Sequence, residues 1–253
     1  MFNEVPSWRR LPTLSVLLTL AMHAGPAIAD DGPAPDLPVY RAQMAPPATL
    51  SYQMRNGWMS GSGDLHWRPT APRYEARLEA QVAGLHVLTE TSTGRVDAHG
   101  LAPLRYTDKR IRRALTAADF QWDQGKITYA GSHAEVPLPA GAQDRLSWMM
   151  QLGAVLNAEP QHARPGGSVA FLVTGARGDA DPWVLRYGGV ETLQTPIGSL
   201  RAVKFTRAPR QPGDKRVEVW LATAHHHLPV RARFTASADG DVFELLLRDM
   251  HIP

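Results

Sequence analysis

The sequence predicts a mainly β fold, a curved antiparallel sheet or open β-barrel of about 10–12 strands clasping one central α-helix. Two observations predict it. Short stretches that alternate apolar and polar residues recur along most of the chain, separated by turns rich in glycine, proline and aspartate. One stretch alone, Gln143–Ala158 (QDRLSWMMQLGAVLNA), follows a helical period, and it falls between two β halves of similar length.

The N-terminus reads as an export signal. Arg9 and Arg10 precede the short apolar run Leu11–Met22, and Ala27-Ile28-Ala29 is a small-x-small cleavage site. Cleavage is expected after Ala29, by the general secretory route. Residues 30–47 carry Pro33, Pro35, Pro38, Pro46 and Pro47 and are expected to form a disordered leader. A single β-rich domain is expected over residues 48–253. No later segment has the length and apolarity of a membrane-spanning helix, so no transmembrane anchor is expected and the protein is placed in the periplasm.

Strand signals begin at Thr49, where Leu50, Tyr52 and Met54 alternate with polar neighbours. Asn56-Gly57 supplies the residues of a tight hairpin turn. The return stretch Trp58–Trp67 contains Gly61 and Gly63, which mark bulges or a close backbone approach. Arg73–Ala83 alternates most cleanly: Tyr74, Ala76, Leu78, Ala80 and Val82 point one way, Glu75, Arg77, Glu79 and Gln81 the other. Leu85–Ser92 follows, with Leu85 and Val87 continuing that pattern. Further strands are expected at Pro103–Ile111, Ala118–Trp122 and Lys126–Tyr129. The basic run Lys109–Arg113 divides between the two faces of a strand, which dilutes any single patch.

In the helix, Leu146, Trp148, Met149, Met150, Leu152, Val155 and Leu156 cover more than half the circumference, as in a helix buried on several sides. Asp144 is placed to accept first-turn N–H groups, and Glu159-Pro160 ends the helix. Arg145 breaks the pattern, because the positive end of the helix dipole disfavours a cation there. It calls for a specific carboxylate partner or a ligand, and Glu191 and Glu218 on later strands are the candidate carboxylates. After the helix, strands are expected at Ser168–Thr174, Trp183–Gln194, Leu200–Arg207, Arg216–Leu221, Val230–Ala236 and Val242–Arg248.

The composition excludes several function classes. There is no cysteine, so disulfides, thiol catalysis and zinc-thiolate sites are ruled out. A formal net charge of +3 over 253 residues is too small an excess for a nucleic-acid binder. No Gly-x-Ser-x-Gly elbow or His-Glu-x-x-His pair is present. His225-His226-His227 could hold zinc, nickel or copper only if a loop brought the imidazoles together. Between Trp220-Leu221 and Leu228-Pro229 the run reads instead as a turn, so His225 and His227 are set aside and neither metal nor cofactor is expected. Trp58, Trp67, Trp122, Trp148, Trp183 and Trp220 are spread over the chain and either fill the core or line a cavity.

The segments Gly100–Tyr106 (GLAPLRY), Ala118–Asp123 (ADFQWD) and Gln143–Trp148 (QDRLSW) occur in order with Gly189–Thr192, Thr195–Gly198, Val219–Leu221 and Leu228–Arg231. Together they resemble the bacterial domain-of-unknown-function family numbered 3108, over roughly Thr49–Asp249. The resemblance implies an exported, mostly antiparallel β protein and carries over no catalytic residue. The histidine-rich loop departs from the family pattern, as a variable turn would. The expected shape is also similar to the lipoprotein carriers of the Gram-negative envelope, an analogy of architecture alone.

The leading functional expectation is a non-enzymatic periplasmic protein that binds a lipid or other amphiphile, or a segment of an envelope protein. Its candidate ligand-binding residues are Arg145, Trp148, Met149, Leu152, Trp220 and Glu191. The alternatives are an envelope assembly or scaffold protein acting through its surface, and a hydrolase of envelope polymers using Glu191 or Glu218 near Arg145.

Overall fold

The computed structural model describes residues 37–236 and 240–253; the expected signal segment and its cleavage site lie outside them. The architecture is one curled, open sheet of 15 strands around a single α-helix. In chain order the first half comprises β1 (Ala48–Asn56), β2 (Met59–Thr70), β3 (Arg73–Val82), β4 (Leu85–Asp97), β5 (Gly100–Arg110), β6 (Thr116–Gln121), β7 (Lys126–Tyr129), β8 (Glu135–Pro137) and β9 (Gln143–Asp144). The helix α1 (Ser147–Ala158) follows. The second half comprises β10 (Ser168–Thr174), β11 (Ala180–Thr195), β12 (Gly198–Arg207), β13 (Lys215–Ala222), β14 (Leu228–Ala236) and β15 (Val242–His251). Each strand pairs with its sequence neighbour in two long meanders, and the meanders join where β1 pairs antiparallel with β15. Only β9, against β10, pairs parallel.

The sheet curls because it is interrupted. Register shifts occur at Ser51/Tyr52, Ala80/Gln81, Thr93/Gly94, Tyr187/Val190 and Trp220/Leu221. Each such bulge bends its strand and adds twist. Where the concave wall narrows, bulk is traded between neighbours: a Cβ on Gly63 would come within 2.5 Å of the Met54 sulfur, so Gly63 makes the space that Met54 fills. The concave face holds the core, including Tyr52, Leu65, Trp67, Leu78, Phe171, Trp183, Phe205, Val219 and Leu247, packed around α1.

The expected alternation of Tyr74, Ala76, Leu78 and Ala80 into the core is seen. The helix is shorter than expected, because Gln143 and Asp144 form β9 and pair with Val173 and Thr174. Asp144 still caps it, accepting the N–H groups of Leu146 (2.9 Å) and Ser147 (2.7 Å). Glu159 closes it, with its N–H on the Val155 carbonyl. Fifteen strands are formed against about 10–12 expected; β8 and β9, three and two residues long, are the ones the sequence did not mark.

The described part of the proline-rich leader, residues 37–47, is a packed strap rather than a disordered tail. Gln43 N–H donates to the Ala154 carbonyl at 2.9 Å, Trp67 Nε1 donates to the Ala45 carbonyl, and the Tyr40 hydroxyl accepts the Ala170 N–H. Prolines prevent a strand ladder, but Tyr40, Gln43 and Ala45 find partners on the helix and adjoining strands, and Arg41 on Glu159 at the helix end. Strap and helix C-terminus together fill one end of the half-barrel. No helix among the described residues is long and apolar enough to cross a membrane.

Candidate functional site

At the other end, beyond the helix N-terminus, the concave wall is neither fully packed nor apolar. The bulge between Ala80 and Gln81 sets the phase of β4, so that Leu88, Glu90 and Ser92 face inward. Register then places Arg110, Asp108 and Tyr106 of β5 beside them. Arg110 Nε donates to both Asp108 oxygens, at 3.0 and 3.1 Å. Glu90 is half-buried and enclosed by protein; burial and the neighbouring Asp108 carboxylate push its pKa up to about 7, against the pull of Arg110 and the Tyr106 hydroxyl.

A chain of hydrogen bonds connects this wall to the helix cap. Ser92 Oγ donates to Asp144 Oδ2 at 2.5 Å. With that proton committed, the Tyr74 hydroxyl donates to Ser92 Oγ at 2.9 Å. The Asp144 N–H donates in turn to Ser147 Oγ at 3.0 Å. Burial raises the Asp144 pKa to about 6, although the hydrogen bonds its carboxylate accepts from Ser92 Oγ and from the Leu146 and Ser147 N–H groups favour the charged form. Removal from water therefore outweighs the local donors.

Opposite lies a second cluster built on Trp183. Arg145 Nη2 donates to Asp179 Oδ2 at 2.6 Å, and its guanidinium stands over the Trp183 ring at 5.2 Å. Arg207 stacks on the same ring at 4.9 Å while it grips Asp214 with two hydrogen bonds of 2.9 and 2.8 Å. Trp148 meets Trp183 edge-on at 5.4 Å. Arg145 Nε, Arg207 Nε, Trp148 Nε1 and Trp183 Nε1 are buried without a hydrogen-bond partner. Lys215, inward-facing and half-buried, makes no ion pair among the described residues. Burial lowers its pKa first, then the charges of Arg145 and Arg110, with Asp179 opposing. Phe234 and Phe243 pair across β14 and β15 on the same wall, their rings 6.0 Å apart and both half-buried. The mouth thus combines an amine that forms no ion pair among the described residues with aromatic surface still in contact with water.

The sequence-derived candidates fall into separate places. Arg145 and Trp148 meet at Trp183, but Arg145 pairs with Asp179 in the β10–β11 turn, not with a strand glutamate. Trp148, Met149 and Leu152 are buried in the packed core and present no free face to a guest. Trp220 and Glu191 lie on the convex side, away from the helix. Trp220 Nε1 donates to Glu191 Oε2 at 2.7 Å, and the Trp220 ring is held between Lys204 and Arg231, each 4.7 Å from it. Glu218 is there too, paired with Lys204 at 2.7 Å, so neither glutamate approaches Arg145. The bulge at Tyr187/Val190 leans the β11–β12 hairpin over this face, and its tip at Pro196 bounds a groove of about 310 Å³ with Gln53 and Leu246.

His225–His227 forms a turn, as expected, with His226 and His227 at φ of 50° and 52°. His227 Nδ1 hydrogen-bonds Asn157 Oδ1 at 2.7 Å. The turn lies so close to α1 that a Cβ on Gly153 would come within 2.5 Å of the His227 carbonyl oxygen. It is a clasp on the helix, and burial followed by the charge of His226 lowers the His227 pKa. Among the described residues no three His, Asp or Glu side chains converge as a metal site would require. Glu90, Asp108, Arg110 and Lys215 were not anticipated; their common signal is a charged residue at an inward strand position, legible only once the bulges are known.

Comparison with known proteins places the fold. The crystal structure of a β-barrel-like protein of domain of unknown function DUF1849 from Brucella abortus superposes with a TM-score of 0.53 at 12% identity, covering 83% of this chain and 99% of the other. Two further structures align widely but superpose poorly. MucB gives 0.33 at 11% identity, over 83% of this chain and 55% of its own, and the Mycobacterium tuberculosis lipoprotein LppX gives 0.29 at 12%, over 81% and 87%. No curated protein matches the sequence. The model of the family described as Protein of unknown function (DUF3108) matches residues 49–247, and the chain belongs to that family.

Proposed function

We propose that this is an exported, non-enzymatic envelope protein that holds an amphiphile with an acidic head in the open mouth of its half-barrel. The observation that carries the reading is the pairing of two unlike surfaces on one wall. Lys215 is a half-buried amine that makes no ion pair among the described residues, and Phe234 and Phe243 beside it are only half-buried. An acidic headgroup would supply a counter-charge, and an acyl or aryl tail would cover the rings. Export is supported by the Arg9-Arg10, apolar and Ala-x-Ala pattern of the N-terminus. Compared with the expectation from sequence, the ligand site moves from the flank of α1 to the space beyond its N-terminus, because the flank is filled.

The test is native mass spectrometry of protein purified without detergent, followed by solvent extraction. The wild type should carry an acidic amphiphile. A Lys215→Met protein should retain about tenfold less, and Phe234→Ala with Phe243→Ala should retain less of it still. Wild-type protein without a guest, and unable to take up a fluorescent fatty acid, would overturn the proposal.

A further inference from the structure

The rim of the same mouth carries a second feature. Hairpin turns β1–β2, β3–β4 and β5–β6 project from this end, and their strands are consecutive neighbours in the sheet. Their tips are unusually apolar for exposed turns: Trp58 is 86% exposed, Leu85 63%, Leu115 50% and Ile111 41%. Among the described residues Trp67, Trp148, Trp183 and Trp220 are buried and Trp122 is half-buried, so Trp58 alone leaves its indole largely in water. Residues 55–60, 81–86 and 109–116 contain Arg55, Lys109, Arg110, Arg112 and Arg113, and no Asp or Glu. Arg110 is held by Asp108, whereas Arg55, Arg112 and Arg113 make no ion pair among the described residues. Elsewhere on the rim Asp179, Asp181 and Asp214 are each already paired with an arginine, and Asp241 in the β14–β15 turn is the exposed carboxylate that makes no ion pair among the described residues.

We infer that these three turns dock the mouth onto an anionic bilayer surface. Single apolar side chains on separate tips, flanked by arginines, suit the soft headgroup layer. A protein partner would instead require one contiguous, shape-matched apolar patch. Indole is favoured at the depth of the headgroups, and each basic residue near an anionic surface adds to the attraction. Docking in this position would bring the mouth to the lipid without burying the domain. The surface stands on the rim residues alone; only its purpose, to load or release an amphiphile, rests on the function proposed above.

The experiment is co-sedimentation of the purified, host-processed protein with phosphatidylcholine vesicles, with and without phosphatidylglycerol, combined with tryptophan emission. Wild type should bind only the vesicles containing phosphatidylglycerol, and its emission should shift to the blue. The shift should be absent in Trp58→Phe, because Trp67, Trp148, Trp183 and Trp220 are already buried, and half-buried Trp122 lies at the far end of β6 from the rim, its Nε1 on the Pro103 carbonyl. Arg112→Glu with Arg113→Glu should weaken binding at least about tenfold, and Trp58→Ser with Leu85→Ser by a similar factor. These are exposed turn positions, and an unchanged unfolding curve would show that the fold is intact. Lys215→Met should bind vesicles as wild type does, even if it has lost its guest. Equal binding to neutral vesicles, no binding at all, or loss of binding in Lys215→Met alone would overturn the rim as the docking surface.

Discussion

Ser92 and Asp144 are tied by a hydrogen bond of 2.5 Å, and through it a strand of the first meander holds the residue that caps α1. The bond crosses 52 residues of sequence and connects wall to plug. Asp144→Ala would free two first-turn N–H groups and the Ser92 hydroxyl in a buried place. Chemical denaturation should show a loss of about 2–3 kcal/mol. Ser92→Ala should lose about 1–2 kcal/mol. A loss below about 0.5 kcal/mol for Asp144→Ala would mean that the cap is incidental.

Glu90 should give the protein an inverted acid response. Its folded pKa is raised from 4.5 to about 7, so between those values the folded state holds more protons than the unfolded chain. Stability therefore falls as pH rises through that window. Asp144, raised from 3.8 to about 6, acts in the same sense at slightly lower pH. Glu90→Gln removes the larger part of the slope. Denaturation midpoints taken at about pH 5 and about pH 8 should differ less in the variant than in wild type, by the order of 2 kcal/mol after allowance for partial solvent contact. Parallel slopes would show that Glu90 ionises freely.

Trp183 supports three groups at once: Trp148, Arg145 and Arg207. Trp183→Ala would leave a cavity and strip two guanidinium groups of their stacking partner. A loss of about 3–5 kcal/mol is expected. Trp183→Phe keeps a ring and should cost distinctly less; similar losses in both would point to the indole N–H instead.

Trp220 separates the two faces experimentally. Trp220→Phe deletes the hydrogen bond to Glu191 while keeping a ring between Lys204 and Arg231. Stability should fall by about 1–2 kcal/mol, and retention of an amphiphile should not change, since the residue is on the convex side. Lost retention at unchanged stability would place the ligand there.

The fold was legible where one physical rule acted alone. Tyr74, Ala76, Leu78 and Ala80 read as a strand because nothing interrupts their alternation. The helix read as central because its apolar arc is too wide for a surface element. Legibility failed just after Gly84, where continuing the pattern puts Leu85 inside. Leu85, paired with Val82, is exposed because it stands at the hairpin tip, and the bulge at Ala80/Gln81 then shifts the phase and turns Glu90 inward. A one-residue slip exchanges the faces of a strand, and with them the site. Arg145 was rightly singled out as needing a carboxylate, but its partner Asp179 sits in a turn, where no periodicity marks it. β8 and β9 are too short to hold a pattern at all.

The pairing of β1 with β15 has a consequence for how the molecule is made. The first and last strands of the domain lie side by side in the middle of the sheet, joined from Thr49↔His251 to Asn56↔Phe243. Until residues 242–251 have been delivered, β1 and β14 both present bare edges and neither meander is anchored to the other. The step that completes the domain closes almost its whole length as one loop, which makes assembly slow relative to helix or hairpin formation. A chain emerging N-terminus first therefore stays unfinished until β15 arrives, and loss of residues 242–251 would remove the seam itself.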